Sequence, residues 1–105
     1  MYRDSFEILI LIAFRHSITE PNVEAGFERI SGIAGGKLGP NAFHNALAAC
    51  LRDGLIREPV RLPEASLQCH WRLELTPKGV DAVRAMTRAH AMTADQLLDH
   101  LLQHA

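Results

Sequence analysis

A change of hydrophobic period just after the middle of the chain constrains the fold more than any other feature. Before Gly54, apolar residues recur at helical spacing in a single stripe, made up of Phe43, Ala46, Leu47, Cys50 and Leu51. After it, apolar residues alternate with polar ones from Leu67 to Leu75, which is typical of a half-buried strand. The sequence therefore predicts a helix that ends at a glycine and leads into β structure.

Two further helices are predicted before this point. The first is expected over about Ser5–His16, with Asp4 as its cap, and its residues are apolar on nearly every side. Such a helix is expected to be buried between other elements. The second is expected to begin near Pro21, and Gly26 within it should permit the close approach of another helix.

The β structure is predicted to be a small hairpin. Its first strand, within Leu55–Leu62, contains Pro59 and is expected to be an edge strand or an irregular one. The segment Pro63–Ser66 is expected to connect it to the alternating strand that ends at Leu75. The predicted fold class is therefore mainly α with a small β-hairpin.

Two helices are predicted after the hairpin. Thr76 and Pro77 are typical of the cap and first turn of the fourth helix, and Thr93 with Gln96 forms a capping box for the fifth. The fifth helix carries a narrow apolar stripe, which consists of Leu97, Leu98, Leu101 and Leu102. A stripe this thin suits a helix that packs on a partner subunit. We therefore expect a domain over 1–90 and a dimerisation helix in 91–105.

Composition and charge narrow the class of protein. With 105 residues, 48% hydrophobic and 22% charged, the chain is expected to form one compact unit. Its longest apolar run, Ile8–Phe14, is far shorter than the ~20 residues of a membrane span, and no signal-peptide pattern accompanies it. A cytoplasmic protein without a membrane partner is expected, and its two cysteines, Cys50 and Cys69, are expected to be free thiols.

The order of these elements, three helices followed by a hairpin, is that of the winged helix-turn-helix, whose third helix enters the major groove of DNA. The segment LGPNAFHNALAACLRDGLI, from Leu38 to Ile56, and the segment LELTPKGVDAVR, from Leu73 to Arg84, resemble the PadR-like family of transcription regulators. The resemblance covers about residues 8–84 and includes Gly26-Phe27-Glu28 in the second helix. Phe43 and Trp71 stand where that family commonly has tyrosines, so a contact from a tyrosine hydroxyl to phosphate is not expected.

The resemblance implies a transcriptional repressor that binds double-stranded DNA as a homodimer. The expected base-reading residues are Asn41, His44 and Asn45, and the expected phosphate contacts are Lys37, Arg61 and Arg72. A solvated helix face and an ordinary mixed surface remain open as alternative interpretations of these residues. The net charge of −1 also gives no global positive field, so a winged helix that serves as a protein-interaction module is an open alternative.

Metal, cofactor and catalytic roles are not expected. His100 and His104 have the i, i+4 spacing that can hold an ion, but no third ligand is evident nearby in sequence. No nucleophile elbow, phosphate loop or paired-acid spacing is present, so the chain is not expected to be an enzyme. Trp71 could line the pocket of an unknown effector, although a core position is the favoured interpretation.

Overall fold

Five helices and two short strands make up the described part of the chain, which comprises residues 2–57 and 71–103 of a computed structural model, with side chains from residue 5 onward. In chain order they are α1 (Tyr2–Arg15), β1 (Ile18–Glu20), α2 (Val23–Ile33), α3 (Pro40–Arg52), β2 (Trp71–Leu73), α4 (Pro77–His90) and α5 (Ala94–Gln103). The protein is therefore mainly α, as predicted, with a small antiparallel sheet.

The sheet joins two strands that are distant in sequence. β1 pairs with β2 so that Thr19 lies opposite Arg72. A further antiparallel bridge joins Ile56 to Leu75, and the amide of Arg57 donates a hydrogen bond of 2.8 Å to the carbonyl of Glu74. These contacts pair the two ends of the predicted hairpin, whereas its connection and most of its strands lie outside the described residues. β1 was not predicted.

The helix α1 is the centre of the core, as its composition predicts. All five residues from Ile8 to Ile12 are at most 2% exposed. α3 and α5 pack against α1, and α4 and α2 also contact it. The helix begins at Tyr2, so Asp4 lies in the first turn and does not cap the helix as expected.

The helix α5 closes this core within the same chain, which corrects the predicted placement of Leu97 and Leu98 at a dimer interface, whereas Leu101 and Leu102 stay predicted interface residues. Leu97 is fully buried and Leu98 is 6% exposed, and both belong to the hydrophobic core that contains Ile8–Ile12 of α1. Only Leu101 and Leu102 are half-buried. Leu97 and Leu98 face α1 because α1 is apolar on nearly every side, so a second helix besides α3 has to pack against it to exclude water.

Two local features hold α5 in place. Its capping box forms as predicted: the amide of Thr93 donates to Oε1 of Gln96 at 3.0 Å, and the amide of Gln96 donates to Oγ1 of Thr93 at 3.2 Å. An ion pair between Arg15 and Asp95 joins the end of α1 to the start of α5. Leu97 and Leu98 of α5 thus share one core with α1, and the division of the chain at residue 90 stays a prediction.

The indole of Trp71 links the sheet to α2 and α3. A Cβ atom placed on Gly26 would lie 2.3 Å from Cε3 of Trp71, so only a glycine fits there. The close approach predicted at Gly26 therefore comes from a strand residue and not from another helix. Trp71 is 8% exposed and its ring lies 6.2 Å from that of Phe43, which places it in the core.

Candidate nucleic-acid interface

The helix α3 has two chemically distinct faces. Phe43, Ala46 and Cys50 are buried against the rest of the protein, as the stripe predicts. The opposite face is exposed and polar, and the three expected base-reading residues lie on it: Asn41, His44 and Asn45. Leu51, which the stripe assigns to the core, is instead 41% exposed. It lies in the last turn of α3, next to the fully buried Cys50.

A glycine-rich turn sets where α3 begins. Gly35 and Gly36 have φ values of 63° and 76°, which are conformations that residues with a Cβ atom rarely adopt. The turn brings Lys37 to an exposed position just before the helix. Gly39 occupies the cap position without a side-chain hydrogen bond, and Pro40 is the first helical residue. The first turn of α3 contains no acidic residue, so this end of the helix can face an anion.

Aromatic packing fixes α3 relative to α2 and β2. The rings of Phe27 on α2 and Phe43 on α3 have centroids 5.0 Å apart, and Phe43 also contacts the ring of Trp71. On the next residue of β2, Arg72 projects from the exposed side of the strand. Arg72 lines a cavity with residues 13–19, at the end of α1 and in β1, and no residue of α3 lines that cavity.

Some basic residues of this region form ion pairs with nearby carboxylates, and others form none within the described residues. Arg52 lies 3.6 Å from Asp53, and Arg57 lies 3.8 Å from Glu74. Lys37 and Arg72 are exposed and make no ion pair with any other residue between 5 and 57 or between 71 and 103. Arg61, the third expected phosphate contact, lies outside the described residues. The structure thus brings Asn41, His44 and Asn45 onto one face, with Lys37 at the entry of the same helix.

Two carboxylates beside this face were not predicted to take part in any site. Glu24 and Glu28 on α2 line a cavity of about 290 Å³ together with His44, Val23 and Phe27. Both glutamates are exposed. Their i, i+4 spacing on a helix was the available signal, because residues at that spacing project from one face. A second cavity, of about 450 Å³, runs along the other edge of α3 beside Phe6.

Metal and thiol chemistry receive no support within the part of the chain that the structure describes. No three histidine, cysteine or acidic side chains converge there to hold a metal ion, and His104 of the spaced histidine pair lies outside that part. Cys50 is a free, fully buried thiol, and burial together with the charge of Asp53 raises its pKa to about 12. Such a thiol is unreactive at neutral pH.

Comparison with known proteins gives no match: no protein-family model, no curated protein and no solved structure matches this chain. None of the helices between residues 2 and 103, with the gap at 58–70, is long and apolar enough to cross a bilayer.

Proposed function

We propose that this protein is a cytoplasmic winged-helix transcription regulator of the PadR-like kind, which binds double-stranded DNA as a homodimer and represses by occupying its operator. The recognition element would be α3, with Asn41, His44 and Asn45 directed at base edges. The observation that carries the proposal is the exposure of these three side chains on one face of a helix whose opposite face is buried. Asparagine can pair with adenine through a donor and an acceptor at once, which suits it to that role.

The element order supports the same function. In chain order, residues 2–73 contain a helix, a short strand, two helices and a second strand, which pairs with the first strand. Residues 58–70 lie outside the described part of this range. The bridge between Ile56 and Leu75 adds antiparallel pairing, as a wing requires at its base. The turn between α2 and α3 has two left-handed glycines, so the two helices can meet at an angle.

Phosphate contacts are assigned to Lys37 and Arg72 among the described residues and to Arg61 outside them. Lys37 and Arg72 have no ion pair with a described residue, so binding a phosphate would break no ion pair within that part of the chain. Arg52 and Arg57 would first have to leave Asp53 and Glu74.

The test is selection of bound duplexes from a randomised DNA pool, followed by fluorescence anisotropy at several salt concentrations. We expect a pseudo-palindromic site, since a two-fold dimer presents two α3 helices. The Asn41→Ala/Asn45→Ala variant should lose discrimination by about 1 to 3 kcal/mol for each base contact removed. The Lys37→Ala/Arg72→Ala variant should flatten the salt slope by about 0.9 for each phosphate that is no longer neutralised.

A matched control removes two charges elsewhere. Arg84 and Arg88 are both exposed on α4, and the Arg84→Ala/Arg88→Ala variant makes the same change in net charge. It should bind the selected DNA with an unchanged salt slope. If no duplex is selected at low salt, or if the two charge variants lose affinity equally, α3 and the sheet do not form the DNA-binding surface.

A second candidate function, a protein-interaction module without direct DNA binding, is favoured by one observation. Glu24 and Glu28 lie beside the exposed face of α3 and would repel phosphate, and the chain has a net charge of −1. Under this alternative, the selection yields no sequence and anisotropy shows no binding at any salt concentration. A gain in DNA affinity for Glu24→Gln/Glu28→Gln would instead favour the DNA-binding proposal.

A further inference from the structure

The cavity between α2 and α3 has the composition of a site for an organic cation. Its volume of about 290 Å³ lies at the lower end of small-ligand pockets. Val23 and Phe27 give it an apolar wall and are both half-buried, whereas Glu24, Glu28 and His44 are exposed around them. An apolar wall with carboxylates at its rim complements a ligand that has an apolar body and one positive charge.

The two carboxylates of this cavity have no cationic partner among residues 5–57 and 71–103. Neither Glu24 nor Glu28 forms an ion pair with another residue of the described part of the chain. Arg29, the arginine next to Glu28 in sequence, instead lies 3.4 Å from Glu20 of β1. Like charges at i, i+4 on a helix repel each other, so a cation placed between them relieves a cost that the free protein carries.

The ring of Phe27 adds a second attraction for the same ligand. It is only half-buried, because one side packs against Phe43 and another faces the cavity. A cation near an aromatic face is attracted by the negative charge of the π system. A metal ion is the less suitable occupant, since no three acidic, histidine or cysteine ligands converge among the residues that the structure describes.

We propose that this cavity binds a small organic ammonium compound, with its charge between Glu24 and Glu28 and its apolar body against Val23 and Phe27. A ligand there lies beside His44 on α3 and reduces the negative charge next to that helix. On the basis of the DNA-binding function proposed above, occupation of the cavity therefore strengthens DNA binding. By linkage, DNA strengthens the binding of the amine by the same factor.

The first experiment is calorimetric titration of the intact chain without DNA, with phenethylammonium as the probe and phenethyl alcohol as its neutral analogue. We expect one site for the ammonium compound and at least tenfold weaker binding of the alcohol, because a hydrogen bond to a charged group is the stronger kind. The Glu24→Gln/Glu28→Gln variant should also bind the ammonium compound at least tenfold more weakly. The control variant Asp81→Asn, changed at an exposed acid of α4, should bind it unchanged.

Equal binding of the two probes, no measurable binding of the amine, or unchanged binding by Glu24→Gln/Glu28→Gln would overturn the site. A second measurement tests the link to DNA: saturating amine should raise the affinity for the selected duplex about fivefold, as typical coupling between sites does. The double variant should show that gain without amine and no further gain with it. An unchanged DNA affinity would overturn the coupling, whereas a chain that binds amine and no DNA would overturn the proposed function and leave the amine site standing.

Discussion

Replacement of Gly26 by alanine should destabilise the protein, although alanine is the better helix former. The added methyl group would lie 2.3 Å from Cε3 and 2.4 Å from Cζ3 of Trp71. The indole has little room to move, because it is 8% exposed and packs against Phe43. Overpacking of this kind costs about 1 to 3 kcal/mol, and the gain in helix propensity returns about 0.5 to 1 kcal/mol. The net fall in the free energy of unfolding is therefore at most about 2.5 kcal/mol, and about 1 kcal/mol at the middle of both ranges.

Gly32 of the same helix provides a control, for which we expect the free energy of unfolding to rise instead of fall. A Cβ atom on Gly32 would meet nothing within 4 Å, so Gly32→Ala should raise the free energy of unfolding by about 0.5 to 1 kcal/mol. Urea unfolding followed by circular dichroism, at one protein concentration, measures both variants. In a Trp71→Leu background, Gly26→Ala should no longer destabilise the protein, which a double-mutant cycle records as coupling. If Gly26→Ala and Gly32→Ala change stability by the same amount, the Gly26 contact does not constrain the fold.

Three further results are expected. Gly79→Ala should lower the free energy of unfolding more than Gly26→Ala does in the same urea assay, because its Cβ atom would lie 2.1 Å from the backbone carbonyl oxygen of Leu55. A backbone oxygen cannot rotate away as a side chain can. An equal or smaller loss of stability would contradict this reasoning. Burial raises the pKa of the Cys50 thiol from 9.0 to about 12, so the native state binds this proton more tightly than the unfolded state does. The contribution of this thiol to the free energy of unfolding should be fully present below about pH 9 and should fall by up to about 1.4 kcal/mol per pH unit between pH 9 and 12. Urea titrations at several pH values should show that Cys50→Ala lacks this part of the pH dependence. Leu101→Asp/Leu102→Asp should shift the sedimentation of the proposed dimer to that of a monomer, because both leucines are only half-buried by their own chain and a partner would cover the rest. Circular dichroism checks that the variant is folded, and a folded variant that still sediments as a dimer would exclude this surface.

Local signals in the sequence predicted the helices well. The stripe of α3, the cap at Thr76 and the capping box of Thr93 and Gln96 all depend on residues three or four positions apart. The structure confirms the cap and the capping box, and it confirms the stripe except at Leu51, which is exposed. The burial of α1 followed from its composition alone, because a helix that is apolar on every side has no face to turn to water.

Pairings between distant segments could not be predicted in the same way. β1 has only three residues, and it exists as a strand because it pairs with residues 71–73, which local periodicity does not record. The partner of Gly26 is Trp71, and its identity likewise depends on how the sheet lies on α2. The leucines of α5 show the same limit: a narrow stripe indicates that a helix packs against something, but not whether that is a partner subunit or the chain's own α1.

The cover that α5 places on α1 also has a consequence for synthesis of the protein. Arg15 and Asp95, which join the two helices, are 80 positions apart in sequence. At translation rates of about 5 to 20 residues per second, α1 leaves the ribosome about 4 to 16 seconds before the helix that completes its burial. During that time the apolar segment Ile8–Ile12 lacks the part of its cover that α5 supplies, so apolar surface that the folded protein buries stays open to water.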